Sequence, residues 1–182
     1  MTKIRLFLIS LVLSAAGTLG MQYLDSPQHQ FKTVADGIYV ASQLSPSDLT
    51  LEKGRRFAAV VDIRPDGEEP GQPSSSEMEA TAKKYHLKFF YIPVPHEGIP
   101  SHAVDALSEA LYHQQRPVVL YCRSGRRAVR LFALTEASRT DGPDAEAIQK
   151  MVKKAGFTVE DLSPEIAQRI SQRKPFQPSI NP

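Results

Sequence analysis

The stretch that decides the fold reads Pro117-Val-Val-Leu-Tyr-Cys-Arg-Ser-Gly-Arg-Arg127. Its first half is apolar and contains two valines, which is typical of a buried strand. Residues 128–137 are mostly apolar and include good helix formers, so the pattern predicts a helix directly after the glycine. Cys122, the only cysteine among 182 residues, is therefore expected in a turn between a strand and a helix.

A cysteine at the start of a helix is well placed to act on an anion. The backbone N–H groups of the first helical turn have no intrahelical acceptor, and the positive end of the helix dipole attracts negative charge. The same field favours the thiolate, which is the nucleophilic form of cysteine. We predict that Cys122 and Arg127 are the catalytic residues. The predicted anion-binding residues around them are Arg123, Ser124, Gly125 and Arg126.

The first twenty residues have the order of a secretory signal peptide. Lys3 and Arg5 precede an uncharged apolar run at 6–13, and small residues follow at 14–17. The run is shorter than the roughly 20 apolar residues of a membrane span. We therefore expect residues 1–20 to direct export to a bacterial periplasm, with membrane contact only through this segment if it is not cleaved.

Charge and composition narrow the classes of partner. The chain has 22 Lys and Arg against 20 Asp and Glu, and loss of Lys3 and Arg5 with the signal would make these numbers equal. Such a balance implies no broad basic face, which argues against nucleic acid as a partner. The histidines show no metal-ligand spacing with other ligand types, so neither a metal nor a cofactor is expected. The predicted partner is a small anionic substrate or a thiol acceptor.

Strands and helices alternate along the rest of the chain. This order predicts an α/β fold with a mostly parallel central sheet flanked by helices. We expect a linker at about 21–33, a single domain over residues 30–173 and a frayed tail at 174–182. Predicted strands lie at 38–42, 57–63, 87–94 and 117–121, and predicted helices at 74–86, 103–113, 128–137, 143–155 and 164–173.

Three loops follow the carboxyl ends of predicted strands, where parallel sheets bind their ligands. They are the loop at 64–73, the loop at 96–101 and the turn that holds Cys122. Arg64 follows a buried strand and points toward the expected site. It could bind the anion directly or pair with a carboxylate such as Asp62 or Glu68, and the sequence does not choose between these roles.

Three motifs together resemble a known bacterial family. They are Val61-Asp-Ile-Arg-Pro-Asp-Gly-Glu-Glu-Pro-Gly-Gln-Pro73, Tyr91-Ile-Pro-Val94 and Tyr121-Cys-Arg-Ser-Gly-Arg-Arg127. This set is similar to the phosphatase-like domain of the beta-lactamase hydrolase-like proteins, over about residues 30–165. The resemblance implies a fold like that of the dual-specificity phosphatases. The same family is also described as a sulfurtransferase family.

The length of the cysteine loop separates two chemistries. Cysteine phosphatases use Cys-x-x-Gly-x-x-Arg, whereas rhodanese-type sulfurtransferases use the shorter Cys-x-x-Gly-x-Arg. The loop from Cys122 to Arg127 fits the shorter form, and Ala128 stands where a phosphatase has its arginine. We therefore expect a sulfurtransferase that carries a persulfide on Cys122. The alternatives are a phosphatase that forms a phosphocysteine and a non-catalytic module that binds anions or phosphate groups.

Only the phosphatase strictly needs a proton donor for its leaving group. Related phosphatases carry an aspartate after a strand like Tyr91-Ile-Pro-Val94, but this chain has Pro95-His96-Glu97 there. His96 or Glu97 could donate the proton, and Asp66 is a weaker candidate. The sequence favours the alternative that His96 and Glu97 are solvated loop residues.

Overall fold

A computed structural model describes residues 31–50, 57–112 and 116–173, and it shows a five-stranded sheet in the order β1-β2-β5-β3-β4. Strands β2, β5, β3 and β4 are parallel, and β1 pairs antiparallel with β2. The mostly parallel α/β sheet is therefore confirmed. The strands are β1 (Lys32–Ala35), β2 (Ile38–Ala41), β3 (Ala59–Asp62), β4 (Lys88–Tyr91) and β5 (Val118–Tyr121).

Strand β1 lies partly inside the stretch that composition assigns to a linker ending near residue 33, so that boundary is wrong. The strand is short and shows little apolar alternation, which gives it a weak sequence signal. It forms a strand because it pairs with β2 across the turn at Asp36 and Gly37, where Gly37 has φ +64°. A positive φ is easily adopted by glycine because it has no Cβ.

Helices cover both faces of the sheet. Because side chains alternate along a strand, Val61 and Leu120 point to one face while Val60 and Val119 point to the other. The first face packs against four helices and the second against one helix and a short 3-10 helix at Pro46–Leu49. The helices are α1 (Ser75–Lys84), α2 (Ser101–Tyr112), α3 (Arg126–Ser138), α4 (Ala145–Lys154) and α5 (Ser163–Ser171).

The helix ends agree with the sequence at some positions and differ at others. Ser74 caps α1 by accepting a hydrogen bond from the Glu77 amide at 3.2 Å, as the Ser-x-x-Glu spacing predicts. The sequence also predicts Ser163 as the cap of α5, and this is wrong, because Ser163 is already helical and its hydroxyl donates to the Glu160 carbonyl at 2.6 Å.

Some expectations fall on other parts of the chain. The signal peptide at 1–20 and the tail at 174–182 lie outside the described residues. The sequence also predicts a short helical segment from Pro46 to Gly54, and its end lies outside them as well. Within the described ranges, no helix has the length and apolar character needed to cross a membrane.

Candidate active site

The turn between β5 and α3 places Cys122 at the carboxyl edge of the sheet. Its side chain is 1% exposed and follows directly on β5. Gly125 precedes α3 with φ +82°, and a Cβ there would lie 3.0 Å from Val40 Cγ1 and 3.1 Å from Phe157 Cζ. Both the backbone conformation and the close approach require glycine at this position.

The start of α3 offers backbone donors beside the cysteine. The first intrahelical hydrogen bond runs from the Val129 amide to the Gly125 carbonyl at 3.0 Å. The amides at 126–128 precede that bond, so they have no acceptor within the helix and can bind an anion. The Gln43 amide donates to the Arg123 carbonyl at 3.3 Å, which attaches the cysteine loop to the segment after β2.

The Arg127 side chain is held by two residues from the loops that follow β3 and β4. Its Nη1 donates to Glu68 Oε1 at 2.5 Å and to the Val94 carbonyl at 2.7 Å, while Nη2 donates to Glu68 Oε2 at 2.7 Å. Burial alone would lower the pKa of Arg127, but hydrogen bonds to Glu68 and the charge of the nearby Cys122 thiolate outweigh it and raise the pKa. The guanidinium is therefore a charged neighbour of both groups.

Glu68 is a central member of the site, and sequence reasoning named it only as a partner for Arg64. Its carboxylate accepts hydrogen bonds from Arg127 and, through Oε2, from Arg64 Nε at 2.9 Å. Hydrogen bonds from Arg127, together with the effects of Arg64 and His96, lower the pKa of Glu68 to about 2 in spite of partial burial. The carboxylate is thus ionised throughout the ordinary pH range.

Arg64 pairs with carboxylates rather than remaining open to a ligand. It is 3% exposed, and its Nη1 and Nη2 donate to Gln43 Oε1 at 2.8 Å and to Glu69 Oε2 at 2.9 Å. Gln43 and Glu69 carried no signal in the sequence, because their role arises from the packing of three separate loops. Glu69 also pairs with Arg123 at 3.3 Å on the exposed rim.

The three proton-donor candidates occupy different places. His96 Nε2 lies 3.4 Å from Glu68 Oε1, and its ring is 64% exposed at the edge of the site. Glu97 is exposed, and the described part of the chain shows no polar contact from it to the site. The Asp66 carboxylate accepts hydrogen bonds from the Ser75 amide at 2.7 Å and from the Ser75 hydroxyl at 2.6 Å. It therefore binds the first residue of α1.

The remaining predicted residues line the mouth or the floor of the site. Ser124 and Arg126 are exposed at the start of α3. Below them, Asp62 is buried and accepts from the Arg64 amide at 2.9 Å. Burial raises the pKa of Asp62 to about 6, although the hydrogen bond from the Arg64 amide acts against this rise. Among the residues that the structure covers, no three His, Cys, Asp or Glu side chains are placed to hold a metal ion.

Comparisons with known proteins point to phosphatase-like families. The family model described as "Beta-lactamase hydrolase-like protein, phosphatase-like domain" matches residues 30–139. The beta-lactamase hydrolase-like protein of Xylella fastidiosa is 34% identical over 82 residues, which are 45% of this chain and 19% of that protein. The chain spans about a fifth to a quarter of the length of the curated relatives it matches.

Solved structures share the fold at low sequence identity. One is a presumed phosphatase from Neisseria meningitidis, with a TM-score of 0.65, 22% identity and coverage of 76% of this chain and 97% of that one. Another is the core catalytic domain of the PP-IP phosphatase Siw14 from S. cerevisiae in complex with citrate. Its TM-score is 0.54 at 19% identity, over 79% of this chain and 85% of that one. The architecture is therefore that of cysteine phosphatases.

Proposed function

The chain belongs to the phosphatase-like domain family of the beta-lactamase hydrolase-like proteins, and we propose that it hydrolyses phosphate monoesters with Cys122 as the nucleophile. The observation that carries this proposal is the position of Arg127. Although Arg127 stands one residue earlier than in the phosphatase loop, its guanidinium lies close enough to Cys122 for their charges to interact, and Glu68 and the Val94 carbonyl fix its position. A phosphate ester could thus be held by the guanidinium and the amides of α3.

In the first step of the proposed reaction, the Cys122 thiolate attacks phosphorus and the bond from phosphorus to the ester oxygen breaks. The departing oxygen takes a proton from His96, and the phosphoryl group remains on the cysteine sulfur. We assign the proton donor to His96 because it is the one candidate in contact with the Glu68–Arg127 pair. Imidazole is the side chain that enzymes use most often as both proton donor and proton acceptor, which suits both halves of the reaction.

In the second step, water attacks the phosphocysteine and the phosphorus–sulfur bond breaks. His96, now neutral, takes a proton from the attacking water, inorganic phosphate leaves and the thiolate is restored. The amides at 126–128 and the Arg127 guanidinium would stabilise the phosphoryl oxygens in both transition states. The substrate class is a small anionic phosphate ester.

A sulfurtransferase remains the second candidate because the Cys-x-x-Gly-x-Arg spacing favours it. The decisive experiment treats the purified protein either with para-nitrophenyl phosphate or with thiosulfate followed by cyanide. We expect phosphate release and a phosphoryl group trapped on Cys122 by rapid acid quenching and mass spectrometry. A persulfide on Cys122 with negligible phosphate release would overturn the phosphatase proposal.

The assignment of His96 has its own test, which varies the leaving group. Replacing His96→Asn should slow hydrolysis of phenyl phosphate by about 100-fold, the usual contribution of a proton donor. It should affect dinitrophenyl phosphate much less, because that leaving group departs without a proton. Glu97→Gln is the matched control and should leave both rates unchanged. Equal losses on the two substrates would show that His96 is not the acid.

Export is part of the same proposal, and residues 1–20 support it through their signal-like order. Expression in a bacterial host with and without these residues, followed by fractionation, tests it. The full chain should reach the periplasm and the shortened chain should stay in the cytoplasm. Equal distribution of the two proteins would contradict export.

A further inference from the structure

We propose that Glu68 is a positioning residue, which turns one edge of the Arg127 guanidinium toward Cys122 and so compensates for the shortened cysteine loop. This inference deepens the proposed function and rests on it for the reaction. Its geometrical part, the orientation of Arg127 beside the cysteine, can be tested even if the protein is not a phosphatase.

The donors of Arg127 divide into two sets. A guanidinium has five N–H donors in a fixed plane. Glu68 takes one from Nη1 and one from Nη2, and the Val94 carbonyl takes the second from Nη1. Among the residues covered by the structure, no oxygen atom accepts from Nε or from the second Nη2 hydrogen. These two donors form one side of the plane, and they remain available to an anion bound beside Cys122.

The shortened loop explains why Arg127 needs a clamp, by which we mean the Glu68 carboxylate bound to its guanidinium. A shift of one residue along a helix rotates the side chain by about 100° around the axis. Arg127 therefore leaves α3 in a different direction from an arginine at position 128, and its long side chain has several rotatable bonds. A bidentate carboxylate fixes the guanidinium plane as well as its position.

The clamp is itself rigidly held. Glu68 is bound by Arg64, which is buried and also donates to Gln43 and Glu69. The backbone N–H of Gln43 in turn donates to the Arg123 carbonyl in the cysteine loop. The contacts thus connect the loop after β3, the segment after β2 and the cysteine loop, so Glu68 cannot move away from Arg127 without breaking several hydrogen bonds.

The alternative role for Glu68 is that of an internal inhibitor, which would occupy the place of the substrate anion. The division of donors argues against it, because Glu68 takes the end of the guanidinium and leaves the side edge open. An anion bound at that edge would not need to displace the carboxylate. The two roles predict opposite effects when the charge of Glu68 is removed.

The test compares alkylation of Cys122 by anionic iodoacetate and neutral iodoacetamide in the full-length protein. Cys122 is the only cysteine, so the modification is unambiguous. Glu68→Gln should lower the ratio of the iodoacetate rate to the iodoacetamide rate by about tenfold, the effect of losing one hydrogen bond to a charged group. A rise in this ratio would show that Glu68 repels or competes with anions, and would overturn the proposal.

Kinetics give the second readout and separate the two proposals. With para-nitrophenyl phosphate, Glu68→Gln should lower kcat by about tenfold or more and raise KM less, since the clamp acts most in the transition state. Glu68→Asp keeps the carboxylate but is one methylene shorter, so it should give an intermediate loss. It serves as the second variant if the glutamine variant folds less stably. If the wild type shows no hydrolysis but the alkylation ratio still falls, the proposed function fails and the positioning role stands.

Discussion

Two clusters among the described residues bring arginine together with a largely buried glutamate, and they lie at opposite edges of the sheet. The active-site cluster consists of Arg64, Glu68 and Arg127, and it lies beside Cys122 at the carboxyl ends of the strands. The distal cluster consists of Tyr112, Glu136 and Arg139, and the latter two lie at the far end of α3. Their side-chain chemistry is similar, but their connections differ.

The difference lies in what each cluster joins and what it leaves open. In the distal cluster, Arg139 binds Glu136 three residues earlier at 3.1 Å, and Tyr112 closes the other carboxylate oxygen at 2.5 Å. In the active-site cluster, Glu68 and Arg127 are 59 residues apart, and Arg127 keeps two donors for a ligand. Under the proposed function, the active-site pair orients a donor toward the nucleophile, whereas the distal pair joins α3 to α2 and stabilises their packing.

The nucleophile should give the largest difference between the two regions. Cys122→Ser should reduce phosphate-ester hydrolysis by at least about 1000-fold, because a serine hydroxyl is not ionised near neutral pH. The melting curve should change little, since the substitution conserves shape. Initial rates with para-nitrophenyl phosphate measure the effect. Substantial remaining activity would exclude covalent catalysis by this residue.

The arginines of α3 give the next largest contrast. Arg127→Ala should reduce catalytic efficiency by about 100-fold, the scale reported for one anion-stabilising donor. Arg130→Ala should change it less than about twofold, because Arg130 binds Asp161 at 2.8 Å on the exposed side of the helix. Steady-state kinetics of both variants test this contrast, and similar losses in the two would remove the special role of Arg127.

Acid should weaken the active-site cluster through Glu68. The pKa of Glu68 falls from 4.5 to about 2 on folding, so its pairing stabilises the fold above about pH 4.5 and is lost as the pH falls toward 2. Removing this contribution with Glu68→Gln should cost roughly 1–3 kcal/mol at neutral pH, after allowance for solvent screening, and much less near pH 2. Urea unfolding at several pH values measures the difference between parent and variant.

Asp62 must be considered in that experiment because its sign is opposite. Burial raises its pKa from 3.8 to about 6, so it stabilises the fold most below pH 3.8 and loses this effect as the pH rises through 6. Since Asp62 is present in both proteins, its contribution cancels from the difference between them. If the difference in unfolding free energy between the parent and Glu68→Gln does not change with pH, the Glu68–Arg127 pair is not formed in solution.

The smallest effect is expected in the distal cluster. Tyr112→Phe removes the hydrogen bond to Glu136 and should destabilise the fold by about 1 kcal/mol, with no change in kcat or KM. Denaturant unfolding and steady-state kinetics check the two parts. A large loss of activity in this variant would mean that the two ends of α3 are coupled, and the contrast between the clusters would have to be abandoned.

Particular residues show how far the sequence reaches. The apolar run before Cys122, the glycine after it and the apolar helix that follows were sufficient to place the cysteine at a strand-to-helix turn. The same pattern predicted the parallel sheet, and the Ser74 cap was read from local spacing. The sequence did not predict strand β1, because its pairing with β2, rather than its own composition, makes it a strand. Glu68 entered the sequence reasoning only as one of two partners for Arg64.

The sequence by itself determined the position of the candidate nucleophile at the start of its helix and the mostly parallel sheet, because these depend on hydrophobic periodicity and on hydrogen bonds between near neighbours. Only the tertiary structure decided which carboxylate meets Arg127, which donors remain open and which of the acid candidates lies next to that pair. Those choices depend on how three loops from different strands pack at one edge of the sheet. Contacts across 59 residues leave no periodic trace in a sequence, since each loop is locally compatible with many partners.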